Sequence, residues 1–452
     1  MNLAKFNWRI ILTIATVSML FQQAFSYVCQ MVMPFLADRI AEDLGISRAW
    51  LGLYLFLQNF VSIIAAIGCG GFIVRYGPLR ISQLALVMMG TSLVVISTGF
   101  LWVYPIAAVL LGASAVSTPA SSHILARVCP PKLAPLIFSV KQTGVPVGSL
   151  IGGLLIPLLL GLVFYVATIG TTVRLGAYGA AFVTAIIVFS VALCLQPIRA
   201  YFDRDRQPDT KLSISDLPET MKLVLHNYPL RDIAFAAFAF GGLQSLFAGF
   251  FILFLLDGLD YSETEAGTAF AVASFSAVWA RILWGYLGSG FVSPRLILSG
   301  IGLFGAVAAV FVAFFDGTWT LYEITAIAML YNITALSWHG ILLAEIARLA
   351  PADKVGGVTG GVLSFTSVAM MIYPAMYGIV LAYTGSYRAG FVVGAIPSLI
   401  ACFVFLRGPV QGSWWTATVK GTRQLASRQT MATIIVVLGV GVALGITSTR
   451  IW

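Results

Sequence analysis

Charged residues are scarce in this chain of 452 residues. Asp, Glu, Lys and Arg together make up 10% of it, whereas hydrophobic residues make up 59%. Because soluble domains carry about 25% charged residues, this composition excludes a single water-soluble globule. A chain in lipid must satisfy its backbone groups internally, as helices or as a closed barrel. The apolar segments run to about 18–28 residues, which is the length of membrane-spanning helices, whereas barrel strands run to about 10.

Residues and motifs for catalysis are also few. The five cysteines are scattered without a Cys-x-x-Cys pair, and the three histidines are dispersed. This spacing indicates neither a disulfide framework nor a zinc site. The chain also lacks the Gly-x-x-x-x-Gly-Lys-Ser/Thr phosphate-binding loop. We therefore expect no enzymatic activity, no cofactor, no metal and no ATP-driven step within this chain.

Twelve apolar segments predict an all-α membrane protein with twelve transmembrane helices. They are 9–36, 48–73, 81–103, 105–126, 135–163, 174–196, 231–256, 264–288, 294–315, 319–346, 357–383 and 388–406. A further apolar run at 431–448 predicts a thirteenth helix after a polar tail. The longest polar segment separates the sixth helix from the seventh, so the predicted organisation is two six-helix bundles, 1–197 and 230–407, with a linker at 198–229 and a tail at 408–452.

The formal net charge of +9 reflects topology. Most Lys and Arg residues fall in the loops on the same side as the N-terminus, and an excess of Lys and Arg marks the cytoplasmic side. The pattern predicts a multi-pass protein of the cell (inner) membrane, surrounded by lipid, with its N-terminus and linker in the cytoplasm. It argues against a nucleic-acid partner.

The two predicted bundles resemble each other. At an offset of 215 residues, Gly70 meets Gly285 and Arg80 meets Arg295 at equivalent places in the helix pattern. Duplicated bundles of this kind are a known transporter design.

The loop between the second and third helices carries the most specific motif. Four residues of this loop match the motif Gly-x-x-x-Asp-Arg-x-Gly-(Arg/Lys)-x-(Arg/Lys): Gly70, Arg75, Gly77 and Arg80. With this motif the chain resembles the major facilitator superfamily, and the resemblance covers the twelve-helix region. The acidic position is Val74, which removes a carboxylate that the family uses in gating. Gly285 to Arg295 form a weaker second copy. The resemblance implies two pseudo-symmetric six-helix bundles and a secondary transporter that works by alternating access.

The resemblance also implies that helices 1, 4, 7 and 10 line the cavity, flanked by 2, 5, 8 and 11. Polar residues are concentrated in these helices, and polar groups in a membrane usually face protein or water. The candidates for substrate binding are Gln23, Tyr27, Gln30, Gln58, Ser121, Lys141, Gln142, Gln244, Arg281, Asn332, His339 and Tyr373. The alternative for each is a polar contact between packed helices.

Two candidate cations lie within predicted helices. Lys141 can contact an anion or snorkel back to the surface, and Arg281 can form a structural ion pair or contact substrate. Glu345 and Arg348 are spaced to pair on one helix, near the cytoplasmic end. No Asp or Glu lies in the middle of a helix, and the deep ionisable groups are basic or His. The sequence therefore favours a small organic anion as substrate, and we expect a monomeric carrier. The alternatives are a transporter-like sensor or assembly partner, and a drug or metabolite exporter.

Overall fold

Twelve membrane-spanning helical segments make up most of the computed structural model, which describes residues 7–47, 50–166, 171–210, 212 and 216–407. All twelve predicted helices are confirmed, and we number them as spans 1 to 12. The predicted thirteenth helix and the tail at 408–452 lie outside the described residues.

Eight spans are single helices. In chain order they are α1 Trp8–Leu44, α2 Trp50–Tyr76, α3 Pro78–Ser97, α11 Tyr228–Leu259, α12 Glu263–Gly288, α13 Pro294–Val312, α16 Val355–Thr384 and α17 Tyr387–Leu406. The other four spans each combine two helices. Span 4 contains α4 Tyr104–Ala113 and α5 Ser117–Val128, span 5 α6 Ala134–Gln142 and α7 Gly144–Gly161, span 6 α8 Gly176–Cys194 and α9 Arg199–Phe202, and span 10 α14 Leu321–Ala335 and α15 His339–Leu349. A further helix, α10 Asp216–His226, lies in the linker.

Two short strands lie in the predicted connection between spans 5 and 6. Strand β1 Val163–Val166 pairs antiparallel with β2 Thr171–Arg174 between spans 5 and 6. Its location in a connection outside the spans agrees with the rule that an open strand edge does not occur in the hydrocarbon region.

The chain forms two compact units. Among the described residues, the first unit comprises those within 7–130, 140–222 and 350–364, and the second comprises those within 131–139, 223–349 and 365–407. Span 5 is therefore divided between the units, with residues 131–139 in the second unit and the remainder in the first. Span 11 is divided in the same way at residue 364.

Helix starts follow local sequence signals. Ser262 and Thr320 each accept a hydrogen bond from the backbone N–H of a Glu three residues later, and each Glu side chain bonds back. These capping boxes satisfy the free N–H groups at the starts of α12 and α14. The two capping boxes also place the carboxylates of Glu265 and Glu323 at helix starts, away from the middle of the spans.

The start of α3 obtains its cap from a distant residue. Gly77 occupies the capping position but has no side chain, and the Asp203 carboxylate accepts from Leu79 N–H at 2.7 Å and from Arg80 N–H at 3.1 Å. Gly77 adopts φ +96°, and a Cβ there would lie 2.6 Å from Asp203 Oδ1, so only glycine fits. Burial raises the pKa of Asp203 above its ordinary value, and the two N–H bonds act in the opposite direction.

Other contacts attach the first linker residues to the same loop. Arg75 donates to the Thr210 carbonyl at 3.2 Å, and Gln207 N–H donates to the Val74 carbonyl at 2.9 Å. Arg127, at the end of α5, pairs with Asp205. The start of the linker therefore belongs structurally to the first unit.

The second copy of the loop motif is built differently. Ser293 caps α13 itself by accepting from Leu296 N–H, and Arg295 pairs with Asp232 at 3.1 Å. Arg80 and Arg295 occupy equivalent positions in the sequence but have different partners. The backbone N–H of Arg80 bonds to Asp203, whereas the side chain of Arg295 pairs with Asp232.

We expect Asp203→Ala to destabilise the protein by about 0.5–2 kcal/mol, the usual effect of removing a helix cap. The measurement is the apparent Tm of the purified protein in detergent. The matched control is Asp209→Ala, because Asp209 is an exposed residue of the same linker. Equal melting temperatures for the two variants would contradict the capping role.

Candidate functional site

A buried lysine is the centre of the polar cluster in the first unit. Lys141 is 0% exposed, and its Nζ donates to Gln23 Oε1 at 2.7 Å. Thr118 Oγ1 donates to the same oxygen at 3.2 Å. The cluster therefore joins spans 1, 4 and 5, and within the part of the chain that the structure describes no carboxylate pairs with Lys141. Lys141 does not snorkel to the surface.

Three glycines bring Lys141 to Gln23. Gly144, Gly148 and Gly152 follow Lys141 along one face of span 5, and small residues at this spacing let two membrane helices approach closely. A Cβ on Gly144 would lie 2.9 Å from Gln23 Cβ, and one on Gly148 would lie 2.9 Å from Tyr27 Cβ. The backbone of α7 therefore rests directly on α1.

Both polar partners from spans 4 and 5 lie beside helix interruptions. Lys141 is in the last turn of α6, before the turn at Thr143, and Thr118 is in the first turn of α5, after the 3-10 turn Ser114–Val116. Interrupted helices at membrane depth are tolerated where they are buried in protein or line a cavity. In transporters, substrate and ion sites are commonly built from such helices.

The other predicted residues of the first unit are less closely connected. Tyr27 and Gln58 are half-buried, and Gln30 is exposed. Ser121 and Gln142 are buried, and the Ser121 hydroxyl donates to the carbonyl of Thr118 at 3.0 Å. Of this set, Gln23 and Lys141 are joined by a direct side-chain hydrogen bond. Thr118, which shares a helix face with Ser121, completes the cluster through its bond to Gln23.

Span 10 is interrupted in the second unit, and span 8 supplies the donors that the interruption requires. Arg281 donates from Nε and Nη2 to the Leu336 carbonyl, at 3.2 and 2.7 Å. Trp284 Nε1 donates to the Ile333 carbonyl at 2.8 Å. Ser337 Oγ donates to the Ala277 carbonyl at 3.2 Å. Arg281 thus satisfies the backbone of span 10 through two of its N–H groups. Its predicted contact with substrate stays a prediction.

The remaining predicted residues of the second unit are dispersed among its helices. Asn332 is buried and donates to the Ala328 carbonyl of its own helix at 2.8 Å, and His339 stacks on Trp338 at 3.6 Å. Tyr373 is buried against Gly242, and Gln244 is half-buried.

Comparison with known proteins then supplies the family. The sequence profile of the Major Facilitator Superfamily matches residues 14–360 and, in a second match, residues 233–451. The chain belongs to the Major Facilitator Superfamily. No curated protein matches the sequence significantly.

Solved structures show the fold of this superfamily. The human organic anion transporter MFSD10 has 16% identity and a TM-score of 0.68, and the match covers 89% of this chain and 100% of the MFSD10 chain. A bacterial homologue of the iron transporter ferroportin, in an outward-facing state, has 14% identity and a TM-score of 0.69 over 90% and 99%. The E. coli fucose:proton symporter has 14% identity and a TM-score of 0.67 over 90% and 100%. At these identities the likeness shows the fold alone, and family and fold together support a membrane transporter rather than an enzyme.

The glycines of the superfamily loop motif occupy points of close approach. A Cβ on Gly70 would lie 3.0 Å from Gly357 Cα in the first unit, and one on Gly285 would lie 2.5 Å from Ser139 Cβ in the second. The predicted pair Glu345–Arg348 also forms, with bonds of 2.8 and 2.6 Å. The gating role that the superfamily motif implies for these residues remains a prediction.

We expect Gly148→Ala to lower the apparent Tm, because the added methyl must push α7 away from α1, and overpacking of this kind costs about 1–3 kcal/mol. Gly153→Ala is the matched control on the same helix, since a Cβ there meets nothing within 4 Å. If both variants melt together, the close approach of α7 to α1 does not hold.

Trp284→Phe should destabilise the protein by about 1–3 kcal/mol, because the buried Ile333 carbonyl then loses its donor. Trp279→Phe on the same helix controls for the change of ring, since Trp279 is 63% exposed whereas Trp284 is 5% exposed. Thermal unfolding in detergent provides the comparison, and a larger loss for Trp279→Phe would refute the support of span 10 by span 8.

Proposed function

We propose that this protein is a secondary active transporter that moves a small organic anion across the membrane by alternating access, with Lys141 as the positive charge that the anion contacts. The observation that carries the proposal is the burial of Lys141 with the neutral oxygen of Gln23 as its bonding partner.

The ammonium group of Lys141 has capacity for a further partner. Lysine carries three N–H donors, and the bond to Gln23 Oε1 uses one of them. An isolated buried charge is costly unless it is paired and hydrogen-bonded. A carboxylate on the substrate would supply both the opposite charge and the acceptors that a neutral amide cannot.

Gln23 supports this role by fixing the ammonium group. Its Oε1 accepts from both Lys141 and Thr118, so donors on spans 4 and 5 are held by one atom of span 1. Small movements of these spans would therefore change the position of the charge. This dependence suits a site that must alter its affinity during transport.

The wider setting agrees with a gradient-driven carrier. The sequence lacks a phosphate-binding loop, and sites built on interrupted helices are a feature of carriers that work by rocking of two repeats. The charge distribution favours a cytoplasmic N-terminus in the cell membrane. We propose that the protein acts as a monomer. The human transporter of the same fold is named for organic anions, which fits the proposal but does not carry it at 16% identity.

Transport by reconstituted protein tests the proposal. Radiolabelled benzoate, lactate and succinate are offered to proteoliposomes under proton and sodium gradients, with neutral fucose for comparison. We expect uptake of at least one carboxylate, and a loss of about 10–100-fold in Lys141→Gln, the equivalent of a charged hydrogen bond of about 1.5–3 kcal/mol.

Lys132→Gln is the matched control, because Lys132 is an exposed lysine at the start of the same span. Ligand-induced shifts in Tm provide a second measurement, since a ligand that binds the folded state stabilises it. Uptake of fucose alone, or carboxylate uptake that Lys141→Gln leaves unchanged, would overturn the proposal.

A further inference from the structure

The first turn of α16 is held tightly within the first unit. A Cβ on Gly356 would lie 2.7 Å from Ile73 Cδ1 of α2 and 3.5 Å from His123 Cβ of α5. One turn later, a Cβ on Gly360 would lie 2.7 Å from Cys69 Sγ. The start of α16 therefore has no space to move while it rests on α2 and α5.

Side chains from two helices bond both backbone polar groups of Gly356. Its N–H donates to His123 Nδ1 at 3.4 Å, and Cys69 Sγ lies 3.6 Å from its carbonyl oxygen. The first N–H groups of a helix have no partner within that helix, so His123 acts as a cap supplied by another helix. Cys69 and His123 are both buried.

The cap exists in only one protonation state of His123. Nδ1 can accept a hydrogen bond when the imidazole is neutral and its proton is on Nε2, whereas the imidazolium ion presents N–H donors on both nitrogens. A protonated His123 would place an N–H against the N–H of Gly356. It would also place a positive charge at the helix N-terminus, which carries partial positive charge.

Two charged groups face His123. Arg127 lies one turn further along α5, and Asp353 precedes α16. From α2 the neighbouring titratable group is the thiol of Cys69. Among the described residues of α1 and α3, which also pack on α5, no charged group acts on His123. Arg127 brings a positive charge and Asp353 a negative one.

We propose that His123 is a proton-binding site, and that a proton bound there releases the first turn of α16 from α2 and α5. Binding of the proton and docking of α16 exclude each other, because both require the lone pair of Nδ1. The docked state is therefore favoured at higher pH and weakened as pH falls through the range in which histidine takes up its proton. As a step in transport, this release rests on the proposed alternating access and would make the proton the coupling ion.

Cys69 is a natural reporter of docking, since its thiol is 1% exposed beneath α16. A Cys69-only chain is made by replacing Cys29, Cys129, Cys194 and Cys402 with Ala. The rate of labelling by 4,4′-dithiodipyridine, a disulfide reagent that still reacts with thiols at low pH, is measured between pH 7.5 and pH 4 in nanodiscs. Each rate is divided by that of a Cys194-only chain at the same pH, because exposed Cys194 corrects for the changing thiolate fraction.

Because docking and the proton compete for Nδ1, release should occur below the ordinary range of histidine, and we expect the corrected labelling rate to rise by about 10-fold or more as pH falls from about 6 to about 4. His123→Asn keeps an acceptor near the position of Nδ1 but does not titrate, so its corrected rate should stay low across the range. His123→Leu removes the acceptor, so its rate should be raised at every pH. Retention of the wild-type pH dependence in either variant would refute the proposal, as would a flat wild-type profile.

The two proposals fail separately in this design. The labelling assay needs no transported solute, so a flat profile overturns the role of His123 and leaves the anion site of Lys141 unaffected. Lys141→Gln in the Cys69-only chain should keep the full pH dependence. Should His123→Asn fold poorly, His123→Gln provides the second acceptor variant that does not titrate.

Discussion

Every backbone N–H and carbonyl in the hydrocarbon region needs a partner from the protein itself, and the structure depends on this constraint. Unbroken helices meet it locally. The interrupted spans cannot, and span 10 shows the solution most clearly, since Arg281 and Trp284 of span 8 donate to carbonyls at the interruption. Arg281, for which the sequence suggests an ion pair or a substrate contact, therefore also supports the backbone of span 10. Lys141 differs because its partner is a neutral side chain.

Close packing of glycine provides the second constraint. In the first unit Gly144 and Gly148 rest on α1, and Gly70 meets Gly357. At these contacts one backbone approaches another, so polar groups such as those of Gly356 come within reach of side chains on neighbouring helices. The candidate site and the proposed proton site both lie next to such contacts. Tight packing and polar chemistry are therefore coupled in this fold.

Much of the fold could be predicted from the sequence because span length and loop charge act locally. All twelve spans follow from apolar runs, and the special loop conformation at Gly77 coincides with the motif. The hairpin at 163–174 and the interruptions in spans 4, 5 and 10 could not be predicted in this way, since tertiary partners make them possible. The sequence predicts both Lys141 and Gln23 as candidates but does not predict their contact. The glycine face of α7 joins them, and the sequence does not show that α1 is the helix on which this face packs. The contact of His123 could not be predicted, because its partner is a backbone group more than two hundred residues away.

The cap of α3 has a consequence for biosynthesis. Asp203 follows span 6, whereas the N–H groups that it satisfies begin span 3. A ribosome therefore releases the start of α3 long before its partner exists, and three further spans must enter the membrane first. The start of α3 is capped only when the opening residues of the linker have emerged. Six spans in the membrane are therefore not sufficient for this part of the fold, which also needs a polar residue beyond the last apolar one.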